Sequence, residues 1–366
     1  MFTQIKNIAG RGQVWFGWVM KTRFVLDGDG WQYHHVVSRV VDRRVIFGEE
    51  EKAFFRDWLW RYAEFCGLRV VAYCLMGNHF HILVGFSRGE AARFAAEATD
   101  GEVIGRARAI YRQAVADAME RDLARFRSAG DDEGVADIRG RLLARMGDLS
   151  VFVQEIKRRF TRWYNGHHDR VGTLWESRFR SVLVEGSRLA LETVAAYIDL
   201  NPVRAGLVRR PEDYRYCGYA EAVGGISNRS GQARRSIALV VDLGDEMERG
   251  TSGWWEAAQQ RYRLLLFGRG AQTGILDAER LSEAVDEAGG PSRAEALRCR
   301  IRHLSEGGAM GSPGFLEEVF ANEKEQGRFS DGRQTGARGM RGANLAELAT
   351  LRDLQSLPTP TPTATD

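Results

Sequence analysis

Two histidines in the first third of the chain, His79 and His81, are separated only by Phe80. On a β-strand, side chains two residues apart point to the same face, so both imidazoles would project together and Phe80 would pack on the other side. Two imidazoles placed in this way can bind a divalent cation, with a third ligand and water completing the coordination. Histidines that merely decorate a strand have the same spacing, so the pair alone leaves both interpretations open.

A tyrosine and an asparagine lie four residues apart, at Tyr197 and Asn201, directly before Pro202. Residues at this spacing share one face of a helix. The phenol of Tyr197 is a candidate nucleophile, and the amide oxygen of Asn201 is a candidate third metal ligand. The alternative is a half-buried helix aromatic followed by a polar residue at the helix end. Asp199 is expected to point away from this face, towards solvent or behind the site.

A basic segment interleaved with aromatic residues extends from residue 155 to residue 180, with seven Lys or Arg residues against three acids. This composition suits contacts to phosphates and stacking on bases, although a solvated helix face would share it. We expect Trp163 and Trp175 to be packing anchors. The candidate contacts to a nucleic-acid backbone are Lys157, Arg158, Arg159, Arg162, Arg178 and Arg180.

The histidine pair requires a strand, and the surrounding pattern supplies one. Apolar or alternating runs predict strands over 32–39, 68–75 and 79–86, the last two forming a hairpin. A helical apolar stripe over 49–66 precedes them and is ended by Gly67. These segments predict a hairpin behind a helix.

The tyrosine requires a helix, which the pattern predicts over 188–200, stopped by Pro202. A further helix is predicted over 152–165, and residues 174–185 are predicted to be extended or irregular. Either His34 or His35 on the first strand could face the site, although packing is the simpler interpretation.

The rest of the chain reads as mostly helical. A long helical hairpin is predicted over 87–149, a linker over 223–231 and a short strand over 236–241. Residues 325–366 are predicted to be a disordered tail that is first basic and then rich in Pro and Thr. Further helices are predicted over 254–266, 277–288, 293–304 and 312–321.

Composition narrows the class of protein. With 366 residues, 44% of them hydrophobic and 28% charged, the chain can build a sizeable core, and wholesale disorder is excluded. We expect no membrane span and no signal peptide. Four scattered cysteines without CxxC spacing fit a reducing cytoplasm. Only five of the 52 basic residues are lysine; arginine suits phosphate binding, but a GC-rich genome would produce the same bias.

Three segments in this order, VVAYCLMGNHFHILV, WYNGHHDRVGTLWESRFRSVLV and AAYIDLNPVRAGLV, resemble the REP-associated tyrosine transposases, which carry a His-hydrophobic-His motif and one catalytic tyrosine. The resemblance covers about residues 32–219, interrupted by 87–149. It implies an α+β, ferredoxin-like antiparallel sheet with packed helices. By the same resemblance His79, His81 and Asn201 would hold Mg²⁺ or Mn²⁺, and Tyr197 would be the nucleophile. Gly77 departs from the family, where proline is frequent.

The resemblance also implies a function and a domain plan. The chain would bind DNA hairpins formed by palindromic repeats, and would cleave and rejoin single-stranded DNA through a 5′-phosphotyrosine, in the cytoplasm at the nucleoid. Residues 1–222 would be catalytic, with 87–149 as a helical insertion, and 223–324 a mostly helical accessory region that contacts DNA or only packs. A monomer is favoured over a homodimer. The alternatives are a catalytically silent nucleic-acid-binding protein and a metallohydrolase that does not need Tyr197.

Overall fold

The computed structural model describes residues 23–225, 229–267, 304, 307–327, 338–339 and 348–352. Within them the chain is a mixed α+β protein with one seven-stranded, mostly antiparallel sheet in the order β2-β3-β1-β4-β5-β7-β6. The strands are β1 (Trp31–Arg39), β2 (Arg69–Leu75), β3 (His79–Ser87), β4 (Arg180–Val184), β5 (Gly307–Gly311), β6 (Arg338–Gly339) and β7 (Ala349–Arg352).

Helices make up most of the remaining described chain. They are α1 (Glu49–Cys66), α2 (Arg88–Glu97), α3 (Asp100–Ala107), α4 (Gln113–Ala129), α5 (Asp132–Leu143), α6 (Leu149–His167), α7 (Arg188–Asp199), α8 (Asn201–Arg204), α9 (Gly218–Gly224), α10 (Ser230–Val240), α11 (Gly244–Glu248), α12 (Trp254–Phe267) and α13 (Pro313–Glu325).

The sheet is built around β1, which pairs antiparallel with β3 on one side and with β4 on the other. Strand β2 completes the predicted hairpin with β3, and α1 and α6 make the two crossovers. Helix α1 has the predicted bounds. Its buried side includes Phe55 and Leu59, and Gly67 ends it in the left-handed conformation (φ 69°), with its N–H bonded to the carbonyls of Ala63 and Glu64.

The two faces of the sheet carry different helices. Phe80 packs against Phe55 of α1 and against Trp175, with ring centroids 4.8 and 5.7 Å apart, on the face that α1 and α6 cover. Trp175 is buried as expected, and Trp163 stacks on Phe54 at 4.2 Å. The opposite face, to which the neighbours of Phe80 on β3 point, is covered by α7, which packs on β2 and β3.

Residues 87–149 form four helices, α2 to α5, rather than one helical hairpin. Local capping explains the extra boundary near residue 99, where Thr99 and Glu102 form a reciprocal capping box. Gly130, in the left-handed conformation, separates α4 from α5, as the sequence indicates. The end of the insertion is tied to the core by a 2.8 Å hydrogen bond from the Gly147 N–H to the Cys66 carbonyl.

The region after residue 223 differs most from the expectations. Residues 236–241, predicted as a strand, lie in and directly after helix α10, because Ala233, Ile237 and Val240 form a helical stripe that is buried, with the helix against β2. The expected linker holds the end of α9 and the start of α10. Strand β5 pairs parallel with β4, so residues on both sides of the expected boundary at 223 contribute to one sheet.

Two parts of the expected disordered tail are strands, since β6 and β7 extend the sheet beyond β5. The helix predicted over 277–288 lies outside the described residues, as does all of 293–304 except Leu304. No helix in the described ranges is both long and apolar enough to cross a membrane.

Candidate active site

Strand register gathers three histidines on the face of the sheet that α7 covers. His81 lies opposite Val37 of β1, and His79 lies opposite Arg39. Since His35 is two residues from Val37, it points to the same face. Its ring centroid is 5.1 Å from that of His81, and the rings of His79 and His81 are 5.0 Å apart. The predicted histidine pair is therefore joined by a third imidazole.

Each histidine is held by its Nδ1 atom. His79 Nδ1 lies 2.7 Å from Asn78 Oδ1, while the Asn78 amide nitrogen donates to the Arg43 carbonyl at 2.9 Å. His81 Nδ1 lies 2.9 Å from His35 Nε2, and His35 Nδ1 bonds to the carbonyl oxygen of Leu304.

The support for Asn78 is a strained turn. Asp42 and Arg43 have φ angles of 55° and 54°, a left-handed conformation that non-glycine residues rarely adopt and that costs roughly 1–2 kcal/mol per residue. The Val40 N–H also donates to the Asn78 carbonyl at 2.9 Å. Strain of this kind persists where the surrounding contacts over-determine it, here directly beside His79.

Burial keeps two of the imidazoles neutral. It lowers the pKa of His35 to about 4, and it holds the pKa of His81 well below its usual value. The positive charges of Arg204 and Arg39 lower the pKa of His81 further, as do the other two histidines. A neutral imidazole retains the lone pair that metal binding or proton acceptance requires.

Tyr197 lies on α7 beside this cluster. Its ring centroid is 6.1 Å from that of His35 and 6.3 Å from that of His81. The side chain is buried, and the Arg204 guanidinium lies 3.9 Å from the ring centroid. Arg204 also donates to the Tyr197 carbonyl at 2.6 Å, so one cation contacts both the ring and the backbone of this residue.

Asn201 lies beyond the end of α7, which is one residue before the predicted end at residue 200. Helix α7 ends at Asp199, and Pro202 occupies the first turn of the short helix α8, where a missing N–H costs nothing. The Asn201 amide nitrogen donates to the carbonyls of Tyr197 and Ile198, both at 3.3 Å. These bonds leave its amide oxygen as the acceptor atom.

Two imidazoles and one amide are donor types that suit a divalent cation. His79 and His81 both use Nδ1 for hydrogen bonds, so Nε2 would be the ligand atom of each in a metal site, an arrangement usual for metal-binding histidines. The Asn201 oxygen is a hard donor that Mg²⁺ and Mn²⁺ accept. Among the residues that the structure describes, no group of three or more His, Cys, Asp or Glu side chains could hold a metal ion. Water would have to complete the coordination.

Two further arginines lie on the site's face. Arg39 of β1 lies opposite His79 in the strand register. Arg180 of β4 lies opposite Val37, in the same row across the sheet as His81. Directly opposed residues of antiparallel strands point to one side. Arg180 is exposed and Arg39 half-buried, and both residues lie at the end of the sheet where β3 begins.

The six predicted nucleic-acid contacts lie on two parts of the chain, α6 and the segment that leads into β4. Four of them lie on α6, across the sheet from α7. Three of those contact other protein groups: Lys157 donates to the Ser177 carbonyl at 3.0 Å, Arg158 pairs with Glu155 at 2.9 Å, and Arg159 lies 4.0 Å from the Trp58 ring centroid. Arg162, Arg178 and Arg180 are exposed, and their side chains make no such contact with the residues that the structure describes.

Comparison with known proteins gives one structural similarity. The chain is similar to a solved structure described as a REP-associated tyrosine transposase bound to a REP hairpin. The similarity has a TM-score of 0.35 and 14% sequence identity, and it covers 57% of this chain and 88% of the other. No protein-family model matches the sequence. No curated protein matches it either.

The sequence did not assign three residues of the site. His35 was one of two open choices, and period-two alternation with Val37 is the signal that selects it. Arg39 could be assigned to the site only once the strand register was known. Arg204 could be assigned only once the end of α7 and the start of α8 were known. Of the two placements expected for Asp199, towards solvent or behind the site, the first is wrong: the side chain is 1% exposed and accepts hydrogen bonds from the Tyr219 N–H and the Tyr262 hydroxyl.

Proposed function

We propose that the protein is a DNA strand transferase that cleaves and rejoins single-stranded DNA through Tyr197. The observation that carries the proposal is the placement of the Tyr197 ring about 6 Å from two neutral imidazoles and against the Arg204 guanidinium. A hydrolase that used only metal-bound water would have no need for a tyrosine in this position. The resemblance of the motifs to the tyrosine transposases points to the same chemistry.

In the proposed reaction the Tyr197 phenol oxygen attacks a backbone phosphorus atom. A bond forms between phosphorus and this oxygen, and the bond from phosphorus to the 3′ oxygen breaks. The proton lost by the phenol balances the one gained by the leaving 3′ hydroxyl, and the 5′ end stays on Tyr197 as a phosphotyrosine. One phosphoester replaces another, so attack by a second 3′ hydroxyl rejoins DNA without an external energy source.

The protein's own groups have distinct roles in this step. His79, His81 and Asn201 would hold Mg²⁺ or Mn²⁺, which when bound offsets negative charge at the scissile phosphate. Arg204 fixes the ring of Tyr197 and adds positive charge beside it. Donors that are already in place before reaction stabilise developing charge without reorganisation.

The exposed end of the sheet is the proposed path of the DNA backbone. Arg39, Arg178 and Arg180 lie on β1, just before β4 and on β4, on the side where His79 begins β3. Guanidinium groups bind phosphates bidentately and independently of sequence. We propose a hairpin with a single-stranded flank as substrate, and a monomer in which Tyr197 serves its own subunit.

We also propose that the catalytic unit has a ferredoxin-like fold. The order β2-β3-β1-β4 with α1 and α6 as crossovers fits a ferredoxin-like core. The catalytic unit would then include β5 to β7 as an extension of its sheet, with α2 to α5 as an insertion.

The test is a covalent adduct. Purified protein is incubated with single-stranded DNA from the flanks of its own gene, chosen for imperfect palindromes, with Mn²⁺ or Mg²⁺, and run on a denaturing gel. We expect a metal-dependent adduct that Tyr197→Phe abolishes. Tyr164→Phe, which also removes a hydroxyl from a buried helix tyrosine but on α6, is the matched control and should keep it. Hairpin binding without any adduct would instead favour a silent nucleic-acid-binding protein, and an adduct-free cleavage that survives Tyr197→Phe would favour a hydrolase.

A further inference from the structure

His35 connects the candidate metal ligand His81 to a residue far along the chain. It is fully buried, and both of its ring nitrogens are bonded. Nδ1 contacts the carbonyl oxygen of Leu304, 269 residues later, and Nε2 contacts His81 Nδ1 at 2.9 Å. The structure therefore contains a chain of hydrogen bonds from a backbone carbonyl through one imidazole to a second.

The Leu304 carbonyl sets the donor-to-acceptor direction of these hydrogen bonds. A carbonyl oxygen only accepts hydrogen bonds, so His35 carries a proton on Nδ1 and donates it to Leu304. A charged imidazole buried with no carboxylate bonded to it would be costly, which makes Nε2 of His35 the unprotonated acceptor. His81 Nδ1 must then be the donor, and the lone pair of His81 resides on Nε2.

We propose that His35 is a positioning residue that locks His81 in the Nδ1–H tautomer and so directs its Nε2 lone pair to the metal. The Leu304 carbonyl fixes the tautomer of His35 and thereby links Leu304 to the metal ligand. This inference rests on the proposed function, because it assigns a metal to His81.

His35 is unsuited to bind the metal itself, because both of its ring nitrogens are hydrogen-bonded. Its role is therefore one step removed from the metal.

The neighbouring residue provides a matched control. His34 is equally buried, and its ring stacks on Phe86 at 5.5 Å. Successive residues of a strand point to opposite faces, so His34 lies away from the site. In the described part of the chain neither ring nitrogen of His34 has a hydrogen-bond partner. Replacing each histidine by leucine removes a buried imidazole in both cases, but only His35→Leu removes the proposed relay.

The experiment measures Mn²⁺ binding to the full-length protein without DNA, from the paramagnetic resonance signal of free Mn²⁺. We expect His35→Leu to weaken binding about 10–100-fold, the usual cost of losing a residue that orients a metal ligand. His34→Leu should bind as the wild type does. His35→Gln places an amide oxygen near the position of Nε2 and should recover much of the affinity. Unfolding curves for each variant exclude loss of folding as the cause.

A spectroscopic readout tests the tautomer without any metal. In protein labelled with ¹⁵N-histidine, long-range ¹H–¹⁵N correlations distinguish Nδ1–H from Nε2–H imidazoles. We expect the Nδ1–H pattern for His35 and His81 in the wild type, and its loss at His81 in His35→Leu. An Nε2–H pattern for His81 in the wild type, or unchanged Mn²⁺ affinity in a folded His35→Leu variant, overturns the proposal.

The two proposals fail in different ways. Absence of a DNA adduct while Mn²⁺ affinity still depends on His35 contradicts the strand-transfer function and supports the relay. A wild-type protein that forms the adduct, together with a His35→Leu variant that binds Mn²⁺ normally, contradicts the relay alone. A wild type whose Mn²⁺ binding is not changed by His81→Ala removes the metal site and the relay together.

Discussion

The Asp199 carboxylate, two residues after Tyr197, accepts a 2.6 Å hydrogen bond from the hydroxyl of Tyr262 on α12. Its other oxygen accepts from the Tyr219 N–H at 3.1 Å. The helix that carries Tyr197 is thus bonded to two later elements of the chain through one buried acid. Burial raises the pKa of Asp199 to about 6, and the hydrogen bonds limit the rise.

This raised pKa predicts a pH-dependent stability with a definite sign. Between about pH 4 and pH 6 the native state holds a proton on Asp199 that the unfolded state has lost, so the unfolding free energy decreases as the pH rises through this window. A shift of two units corresponds to about 3 kcal/mol. Asp199→Asn should remove this contribution while keeping an acceptor for the Tyr219 N–H. Urea unfolding of both proteins from pH 4 to 7 tests it, and parallel pH profiles would contradict it.

The hydroxyl of Tyr262 should make its own measurable contribution to the free energy of unfolding. Tyr262→Phe leaves the buried Asp199 carboxylate one donor short, which costs about 1–3 kcal/mol of unfolding free energy. Tyr262 is buried, so water cannot replace the lost hydrogen bond to Asp199. Denaturant unfolding measures the loss at pH 7. At pH 4 the loss should be smaller, because a protonated carboxyl needs fewer donors.

Arg204 should matter for reaction rather than for folding. Arg204→Lys keeps the charge but loses the planar guanidinium that lies against the Tyr197 ring. We expect adduct formation to slow by about tenfold or more, since a cation–π contact is worth roughly 0.5–2 kcal/mol and a hydrogen bond to a charged group roughly 1.5–3 kcal/mol. Single-turnover adduct formation at saturating DNA is the measurement, and a wild-type rate would show that the guanidinium has no such role.

Arg39 and Arg180 should contribute to DNA affinity through phosphates. Each alanine variant is expected to weaken hairpin binding at all sequences and to reduce the slope of log K against log salt by about 0.7–0.9. Arg121→Ala is the control, because Arg121 is an exposed arginine on α4, in the insertion and outside the site. Fluorescence anisotropy from 50 to 300 mM salt gives the slopes. Equal slopes for Arg180→Ala and Arg121→Ala would place the DNA elsewhere.

Metal removal should separate binding from cleavage. EDTA is expected to abolish the Tyr197 adduct, because the proposed ligands His79, His81 and Asn201 then leave the phosphate charge uncompensated. Hairpin affinity should change little, since the arginines bind phosphates without the metal. Gel-based cleavage and anisotropy on one sample compare the two. An adduct that forms at the wild-type rate in EDTA would contradict the metal role.

The sequence predicted the elements around the histidines well and the later region poorly, for physical reasons. The strand carrying His79 and His81 and the helix ended by Gly67 have strong local signals, namely alternation and a left-handed cap. Helix α10 was not predicted because its apolar residues form a short run that is equally typical of a strand. Only the packing of this segment on β2 decides between helix and strand.

The site itself was only partly readable. Tyr197 and the histidine pair follow from spacing, whereas Arg39 and Arg180 enter through strand register, which depends on long-range pairing. The His35–Leu304 bond joins residues 269 positions apart, and no local pattern encodes such a contact. The solvent-facing alternative for Asp199 is wrong because α7 is buried on nearly every side, although its sequence includes polar residues.

The parallel pairing of β4 with β5 joins a strand that is synthesised early to one that is synthesised late. The ribosome releases residues 180–184 on the order of 120 residues before residues 307–311, which at bacterial or eukaryotic rates of 5–20 residues per second is roughly 6–24 s. During that time the outer edge of β4 is an unpaired template for other strands, and His35 lacks the carbonyl of Leu304. Under the proposal for His35, a nascent chain therefore carries His81 before it can fix the tautomer of this residue, and the proposed metal site is complete only after residue 304 has been synthesised.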